Sequence, residues 1–379
     1  MNYSIPFNRP FLTGNELKYI QQAVESGKIS GNGLFTQKCQ KIFCERYRYR
    51  KTLLTTSCTD ALEMAAILSG IAPGDEVLVP SFTFVSSALA FVRQGAKIIF
   101  ADSSPNNPNL DVTQLEPLLA RPRMKAIVVV HYAGVACDMD AILALANRYG
   151  LLVIEDAAQA IEATYKKRPL GGIGHFGCFS FHETKNIITG EGGALTINDE
   201  RFARRSEIIW EKGTNRTEFF RGEANKYGWV DTGSSFLPSE IIAAFLYAQL
   251  EHLDIIQSRR KQLWNAYEER LTILNLQNRI LLPDIPNYAS NNAHMFYIVC
   301  DSMNERTKLI AHLKEHGILA VFHYLPLHKS PYYSPLYEGE ELPNAIRFSE
   351  CLLRLPMYFD LTLSQIDKIC EQVRNFYYQ

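Results

Sequence analysis

Seven short runs rich in β-branched and other strand-forming residues constrain what this chain can fold into. They lie at residues 52–55, 76–79, 97–101, 126–130, 151–154, 178–181 and 194–197. Segments of helical period, at 60–69, 85–94, 112–119 and 139–149, separate the first five. This alternation predicts an α/β fold: a mostly parallel seven-stranded sheet with helices on both faces and a ligand crevice beyond the carboxyl ends of the strands. No helical segment separates the last two runs, so one of them is expected to run antiparallel.

Before the first run, residues 1–10 read as an extended arm and 16–26 as an amphipathic helix. The loop SGKISGNG, 26–33, is glycine- and serine-rich and reads as a turn or as a cover over a site. After residue 197 the texture changes. A helix over 199–210 leads into the polar segment 211–236, which is long for a loop in a compact domain and so is expected at a functional surface or interface. A helical stretch over 238–274 then carries the chain towards strand-like pieces at 295–299 and 319–322 and amphipathic helices at 305–316 and 363–376. These predict a large domain over 1–245, including the arm, and a smaller C-terminal α+β domain over 246–379. The length of 379 residues suits two domains, because one core rarely grows beyond ~250–300 residues.

A formal net charge of -1 gives no electrostatic reason for nucleic acid or an anionic membrane as the partner, so any anionic ligand must be held by a local site. The eight cysteines lack CxxC spacing and the density of a stapled fold, which predicts reduced thiols in a cytoplasmic protein. The start, MNYSIPFNRPF, has no basic segment followed by an apolar core, and no window approaches ~18 apolar residues, so neither export nor membrane spanning is expected. No metal site is predicted, since His175, His182 and Cys178 have no second spaced pair beside them.

Two stretches carry the chemistry. In LLVIEDAAQA, 151–160, an apolar strand ends in Glu155 and Asp156, with Gln159 three residues on. In CFSFHETKNIITGEGG, 178–193, Lys185 follows a β-like segment and precedes a loop of Thr, Gly and Glu. Taken singly, Lys185 reads as an exposed turn lysine and Asp156 as a helix cap. Together, at strand ends of one sheet, they read differently. A lysine attacks a carbonyl only when neutral, and a strand-end carboxylate can keep a pyridine nitrogen protonated, so that the ring accepts electrons from a substrate Cα–H bond. Gln159 is placed to hydrogen-bond that ring's phenolic oxygen. Ser57-Cys58-Thr59, ahead of a helix expected from Asp60, would present unpaired N–H groups to a phosphate, and Ser180 would add a hydroxyl; a plain N-cap explains Thr59 equally well. Phe84 is placed either to stack on a planar cofactor or to fill the core. These are the parts of a pyridoxal 5'-phosphate enzyme. One pattern is discarded: Gly172, Gly174 and Gly177 match GxGxxG, but Pro169-Leu170 precede them and a β-like segment follows, so the context of a dinucleotide site is missing.

Asp156-x-x-Gln159, the Ser180 to Lys185 spacing, GEGGA (190–194), PSFTFVSSA (80–88) and VHYAGVACDMD (130–140) together resemble the nucleotide-sugar aminotransferases of the aspartate-aminotransferase fold, over nearly the whole chain. SCTDALEMAA (57–66), CFSFHETKN (178–186), EKGTNR (211–216) and VFHYLPLH (321–328) resemble members that aminate C4 of a dTDP-linked sugar. The resemblance implies a homodimer with the cofactor near the subunit interface. It implies Lys185 as the Schiff-base lysine and proton shuttle, Asp156 as the pyridinium partner, Gln159 as the contact to the phenolic oxygen and Phe84 as the stacking ring. Ser180, Thr59 and the backbone of Cys58 would hold the phosphate. L-Glutamate would be the amino donor and dTDP-4-dehydro-6-deoxy-D-glucose the acceptor, giving dTDP-4-amino-4,6-dideoxy-D-galactose. Most relatives carry an Asn-x-Arg-Met run before the long helix, whose Asn reaches the neighbouring subunit's phosphate. This chain has Gly233-Ser234-Ser235-Phe236-Leu237-Pro238 instead, so either Ser235 or Asn215 is expected to make that contact. The alternatives are the gluco epimer at C4, a C3 aminotransferase, a dehydrase on the same scaffold, and a non-catalytic protein that kept the fold. Lys185 argues against the dehydrase, because the dehydrases carry histidine there.

Overall fold

In the computed structural model, which describes residues 3–378, the seven runs form one sheet. Its strands are β1 (Lys51–Thr55), β2 (Glu76–Pro80), β3 (Lys97–Ala101), β4 (Met124–Val130), β5 (Leu152–Asp156), β6 (Phe176–Ser180) and β7 (Gly193–Ile197), in the order β1-β7-β6-β5-β4-β2-β3. The strand pairs are parallel except for β7, which lies antiparallel to β1 and β6. The link from β6 to β7 holds no crossover helix, and a chain that turns back without one can pair only antiparallel.

Both faces of the sheet are covered, which is why the strand runs are continuously apolar rather than alternating. Along β4, Ala126 and Val128 enter one core while Ile127 and Val129 enter the other. The first core takes side chains from α3 (Cys58–Leu68), α4 (Ser86–Val92) and a helix over Ala203–Trp210; the second is closed by α1 (Glu16–Glu25), α2 (Leu34–Tyr47) and helices over Leu115–Leu119, Met139–Tyr149 and Glu240–Glu251. The loop 26–33 is docked on the last of these. The helix at Leu34–Tyr47 starts after Gly33, which has no side chain to cap it, and the buried Glu240 carboxylate does so instead, accepting from the N–H groups of Gly33 at 2.9 Å, Phe35 at 2.7 Å and Thr36 at 3.1 Å.

The helix expected over 238–274 is two helices, Glu240–Glu251 and Leu253–Leu276, which meet at His252. The first packs on the N-terminal helices and the second on the C-terminal one, Leu363–Tyr378, so the break lets one apolar stretch serve two layers. Beyond it lies a second, antiparallel sheet of β8 (Phe296–Val299), β9 (Val321–Phe322) and β10 (Leu352–Leu355), in the order β8-β10-β9. A third core sits between this sheet and helices over Leu253–Leu276, Met303–Glu315 and Leu363–Tyr378. Sequence reasoning misses β10, because the helix Pro343–Cys351 passes into it with no turn residue between and Arg354 interrupts its apolar run. Among the described residues no helix is long and apolar enough to cross a membrane, no cluster of three metal-binding side chains occurs, and all eight cysteines are unpaired.

Candidate active site

Lys185 lies in the link from β6 to β7, a loop closed by the Glu183 N–H on the Gly190 carbonyl at 3.0 Å and the Thr189 N–H on the Phe181 carbonyl at 2.7 Å. The next residue anchors it. Buried Asn186 donates from Nδ2 to Gln257 Oε1 at 2.7 Å and to the Asn292 carbonyl at 3.0 Å, and its Oδ1 accepts from His294 Nδ1 at 2.8 Å. Elements of both halves of the chain therefore fix the backbone from which the lysine projects. Burial lowers the Lys185 amine to about 8 against the opposing pull of Cys58 and Asp156, and the Arg354 guanidinium lowers it further. Near neutral pH a useful fraction of this amine is unprotonated, as nucleophilic attack requires.

Glu155 and Asp156 are neighbours at the end of β5, and the two-residue period of a strand sends them to opposite faces. Asp156 faces the site. Its Oδ2 accepts from Ser87 Oγ at 2.6 Å and its Oδ1 from the Ala158 N–H at 3.2 Å. Burial raises its pKa, while Ser87, Ala158 and the Lys185 charge oppose the rise. It is not a helix cap: the segment after it is a pair of tight turns, with the Ala160 N–H on the Ala157 carbonyl at 2.9 Å and the Ala163 N–H on the Ala160 carbonyl at 3.0 Å.

Glu155 faces the other way, into the glycine-rich loop. Its fully buried carboxylate accepts from the N–H groups of Gly171 at 2.7 Å, Ile173 at 2.7 Å and Gly174 at 2.6 Å, and from His131 Nε2 at 3.0 Å. His131 Nδ1 accepts the Cys137 N–H at 3.2 Å, which leaves the imidazole proton on Nε2, aimed at the carboxylate. The GxGxxG-like loop thus wraps the chain's own anion. Glu155→Gln puts an amide N–H against this ring of donors and is expected to destabilise the apoenzyme by about 3 kcal/mol, read as a lower urea midpoint.

Gln159 is oriented by the backbone. Its Oε1 accepts the Ala133 N–H at 2.6 Å, so its Nε2 must face inward, where it donates to Tyr324 Oη at 3.2 Å. Asn292 Nδ2 fixes the same turn through the carbonyls of Gln159 at 2.7 Å and Ile161 at 2.8 Å. The start of α3 lies near Lys185 and Asp156, whose charges act on Cys58. Here α3 begins two residues earlier than predicted, with Ser57 as N-cap accepting from the Asp60 N–H at 3.1 Å, so Cys58 and Thr59 occupy the first turn. Backbone N–H groups in such a turn have no intrahelical acceptor and favour an anion. Thr59 Oγ1 lies 2.7 Å from Ser86 Oγ. A Cβ on Gly193 would come 2.4 Å from the carbonyl carbon of Ser57 and 2.6 Å from Cys58 N, so only glycine lets β7 start here, paired with Ser180 of β6.

Lys185, Asp156, Gln159, Cys58, Thr59 and Ser180 therefore gather at one end of the large sheet. Phe84 stands at the rim, 56% exposed, with its ring centroid 6.0 Å from that of Tyr324. Asn215 and Ser235 stay outside the hydrogen-bonded site. Asn215 Oδ1 accepts the Gly228 N–H at 2.8 Å within its own loop, and exposed Ser235 bridges to Glu211. Sequence reasoning gave no role to Ser87, Tyr132, Asn292, His323, Tyr324 or Arg354. Signals for five of them were in plain view: Ser87 sits within the quoted PSFTFVSSA, Tyr132 within VHYAGVACDMD, His323 and Tyr324 within VFHYLPLH, and Arg354 is a lone charge in the apolar LLRLP.

A partly neutral amine, a buried carboxylate held by two donors, an amide with its N–H groups turned inward and an open helix N-terminus make a donor set that fits pyridoxal phosphate. The comparisons with known proteins agree. Residues 10–374 match the DegT/DnrJ/EryC1/StrS aminotransferase family. GDP-perosamine synthase of Caulobacter vibrioides is 35% identical, covering 95% of each chain, and the spore coat polysaccharide biosynthesis protein SpsC of Bacillus subtilis is 34% identical, covering 99% of this chain and 97% of that one. Among solved structures, S. venezuelae DesV in complex with a ketimine intermediate superposes with a TM-score of 0.89 at 30% identity, covering all of both chains. The PLP-form of Spr1654 from Streptococcus pneumoniae gives 0.90 at 25% identity, covering 100% of this chain and 99% of that one. With the match spanning nearly its full length, the chain belongs to the DegT/DnrJ/EryC1/StrS family of pyridoxal phosphate-dependent sugar aminotransferases.

Proposed function

We propose that this protein transfers an amino group from L-glutamate to C4 of dTDP-4-dehydro-6-deoxy-D-glucose, giving dTDP-4-amino-4,6-dideoxy-D-galactose. The resemblance of its motifs to dTDP-4-amino-4,6-dideoxygalactose transaminase supports the substrate. The observation that carries the reaction class is the meeting of the Lys185 amine, lowered to about 8, with buried Asp156 beside the first turn of α3. Pyridoxal phosphate, when bound, supplies the reactive carbonyl and the electron sink. Lys185 Nζ would hold it and carry a proton to and from the reacting carbon, while Asp156 would keep the pyridine nitrogen protonated. Gln159 Nε2 would donate to the ring oxygen, Phe84 would cover the ring face, and Ser180, Thr59 and the Cys58 N–H would receive the phosphate. We assign residues 1–245 to the cofactor-binding domain and 246–379 to the small domain, and read the active form as a cytoplasmic homodimer in which Ser235 or Asn215 reaches the neighbouring phosphate. Exposed Phe220, Trp229 and Val230 on the same polar segment support an interface there.

Incubation with L-glutamate and either dTDP- or GDP-linked 4-dehydro-6-deoxyhexose, followed by NMR of the product, tests the substrate. A galacto-configured C4 amine from the dTDP sugar is expected. Preference for the GDP sugar, as the name of the Caulobacter relative would suggest, or amination at C3, would overturn the assignment.

The amine also sets a pH dependence. Because its folded value is lowered, the neutral fraction rises tenfold per unit up to about pH 8 and then levels off, whereas an ordinary lysine would keep rising to ~10.4. The rate at which the apoenzyme captures pyridoxal phosphate, followed by stopped-flow absorbance, is expected to show that break.

A further inference from the structure

The turn from β2 into α4 gathers four side chains around the strand ends, from Thr83 to Ser87. Phe84 stands at the rim, Ser86 Oγ lies 2.7 Å from Thr59 Oγ1, and Ser87 Oγ donates to Asp156 Oδ2 at 2.6 Å. Thr83 lies behind them. Its Oγ1 is 2.8 Å from Ser87 Oγ, and the two residues are 2% and 0% exposed. Thr83, Ser87 and Asp156 therefore form a buried hydroxyl chain that ends on the carboxylate.

What each group can donate fixes the direction of this chain. An ionised carboxylate only accepts, so Ser87 gives its single proton to Asp156 and Thr83 must donate to Ser87. Among the described residues, Thr83 Oγ1 has no second hydrogen-bond partner. Protonation of Asp156 at Oδ2 would reverse the chain and leave the Thr83 proton buried without an acceptor. The arrangement thus favours the charged carboxylate over the neutral acid.

The surroundings make that preference matter. Burial pushes the Asp156 carboxyl up, the bonds from Ser87 and Ala158 pull it down, and the charges of Lys185 and His131 add to that pull. The thiols of Cys58 and Cys178 and the phenol of Tyr324, which feel the same carboxylate, are all pushed up by burial and are neutral near neutral pH. Lys185 loses its proton at about 8, so its help fades there, whereas that of the hydroxyl chain does not. We propose that Ser87, oriented by Thr83, is a positioning residue for amino transfer, holding the Asp156 carboxylate charged and in one orientation for the pyridine nitrogen. This deepens the aminotransferase reading of the site and rests on it.

Two variants separate this role from packing. Ser87→Ala is expected to lower turnover about 10- to 100-fold, with KM for the amino donor within about threefold. It should also move the acid limb of the turnover profile up by about one pH unit, because a carboxylate that has lost a donor protonates more readily. Thr83→Val, which leaves Ser87 in place, should show the same changes with a smaller loss, about three- to tenfold. Ser87→Thr restores the hydroxyl and should recover most of the turnover. Nitrogen NMR of isotope-labelled pyridoxal phosphate, bound to each protein, gives a readout apart from turnover. The pyridine resonance in Ser87→Ala is expected to shift towards the unprotonated form, part of the way that it shifts in Asp156→Asn. A wild-type resonance in Ser87→Ala, with that of Asp156→Asn shifted, would overturn the inference and leave the role of Asp156 standing. A loss of turnover with no change in the resonance, or an equal loss in Ser87→Thr, would mark a packing defect and overturn it too. No shift even in Asp156→Asn would remove the role of Asp156 first and this inference with it. Should Ser87→Ala fail to fold, Thr83→Val decides by the same readouts.

Discussion

Replacing Lys185 by alanine is expected to lower amino transfer by at least ~10⁴-fold and, in the same variant, to remove the visible absorbance of lysine-bound cofactor. Among the described residues, Lys185 is the lysine whose charge acts on both Asp156 and Cys58. Asn186, fixed by Gln257, Asn292 and His294, holds the lysine's backbone in its loop, and the Cys58 thiol nearby is pushed well up by burial and so is protonated near neutral pH. Cofactor affinity should fall less than turnover, because the proposed phosphate seat at α3 and the Gln159 amide are untouched. Absorbance spectra and single-turnover kinetics on the variant separate the two effects. Retained turnover would remove Lys185 from the reaction.

Asp156→Asn should behave differently: the variant is expected to bind cofactor but to turn over ~10²–10⁴-fold more slowly. The asparagine fits the same space and can keep one of the two hydrogen bonds, to Ser87 or to Ala158, so the strand end should not move. What it lacks is the negative charge that stabilises a protonated pyridine, and in a buried site that charge counts for more than it would in water. Near-normal turnover, with cofactor affinity unchanged, would contradict the role given to Asp156. The contrast with Glu155→Gln is informative, since two adjacent carboxylates on one strand then report separately on chemistry and on stability.

That contrast also shows what could be read from the sequence. Strand-helix alternation and the missing helix before residue 194 were enough for the sheet and its antiparallel strand, because both depend on local pattern. Lys185, Asp156 and Gln159 were legible because strand ends of one sheet must converge. The division of labour between Glu155 and Asp156 was available in principle from the period of a strand, but what each would meet was not: the donors to Glu155 come from a loop sixteen or more residues on and from His131 at the end of β4. The members of the chain Tyr132–His323–Arg354 stand in recognisable stretches, but their meeting leaves no local trace. Its members are brought together only when the small sheet docks on the large one, and β10 carries no turn signal at its start. The Lys185 and Asp156 end of the site was written in short motifs, whereas the wall supplied by the small sheet depends on packing between distant segments.

Borohydride reduction of the holoenzyme, followed by peptide mass spectrometry, tests the central claim most directly. The expected result is a pyridoxyl phosphate group fixed on Lys185 and on no other lysine. Recovery of an unmodified Lys185 peptide, or of the group on a different residue, would contradict it.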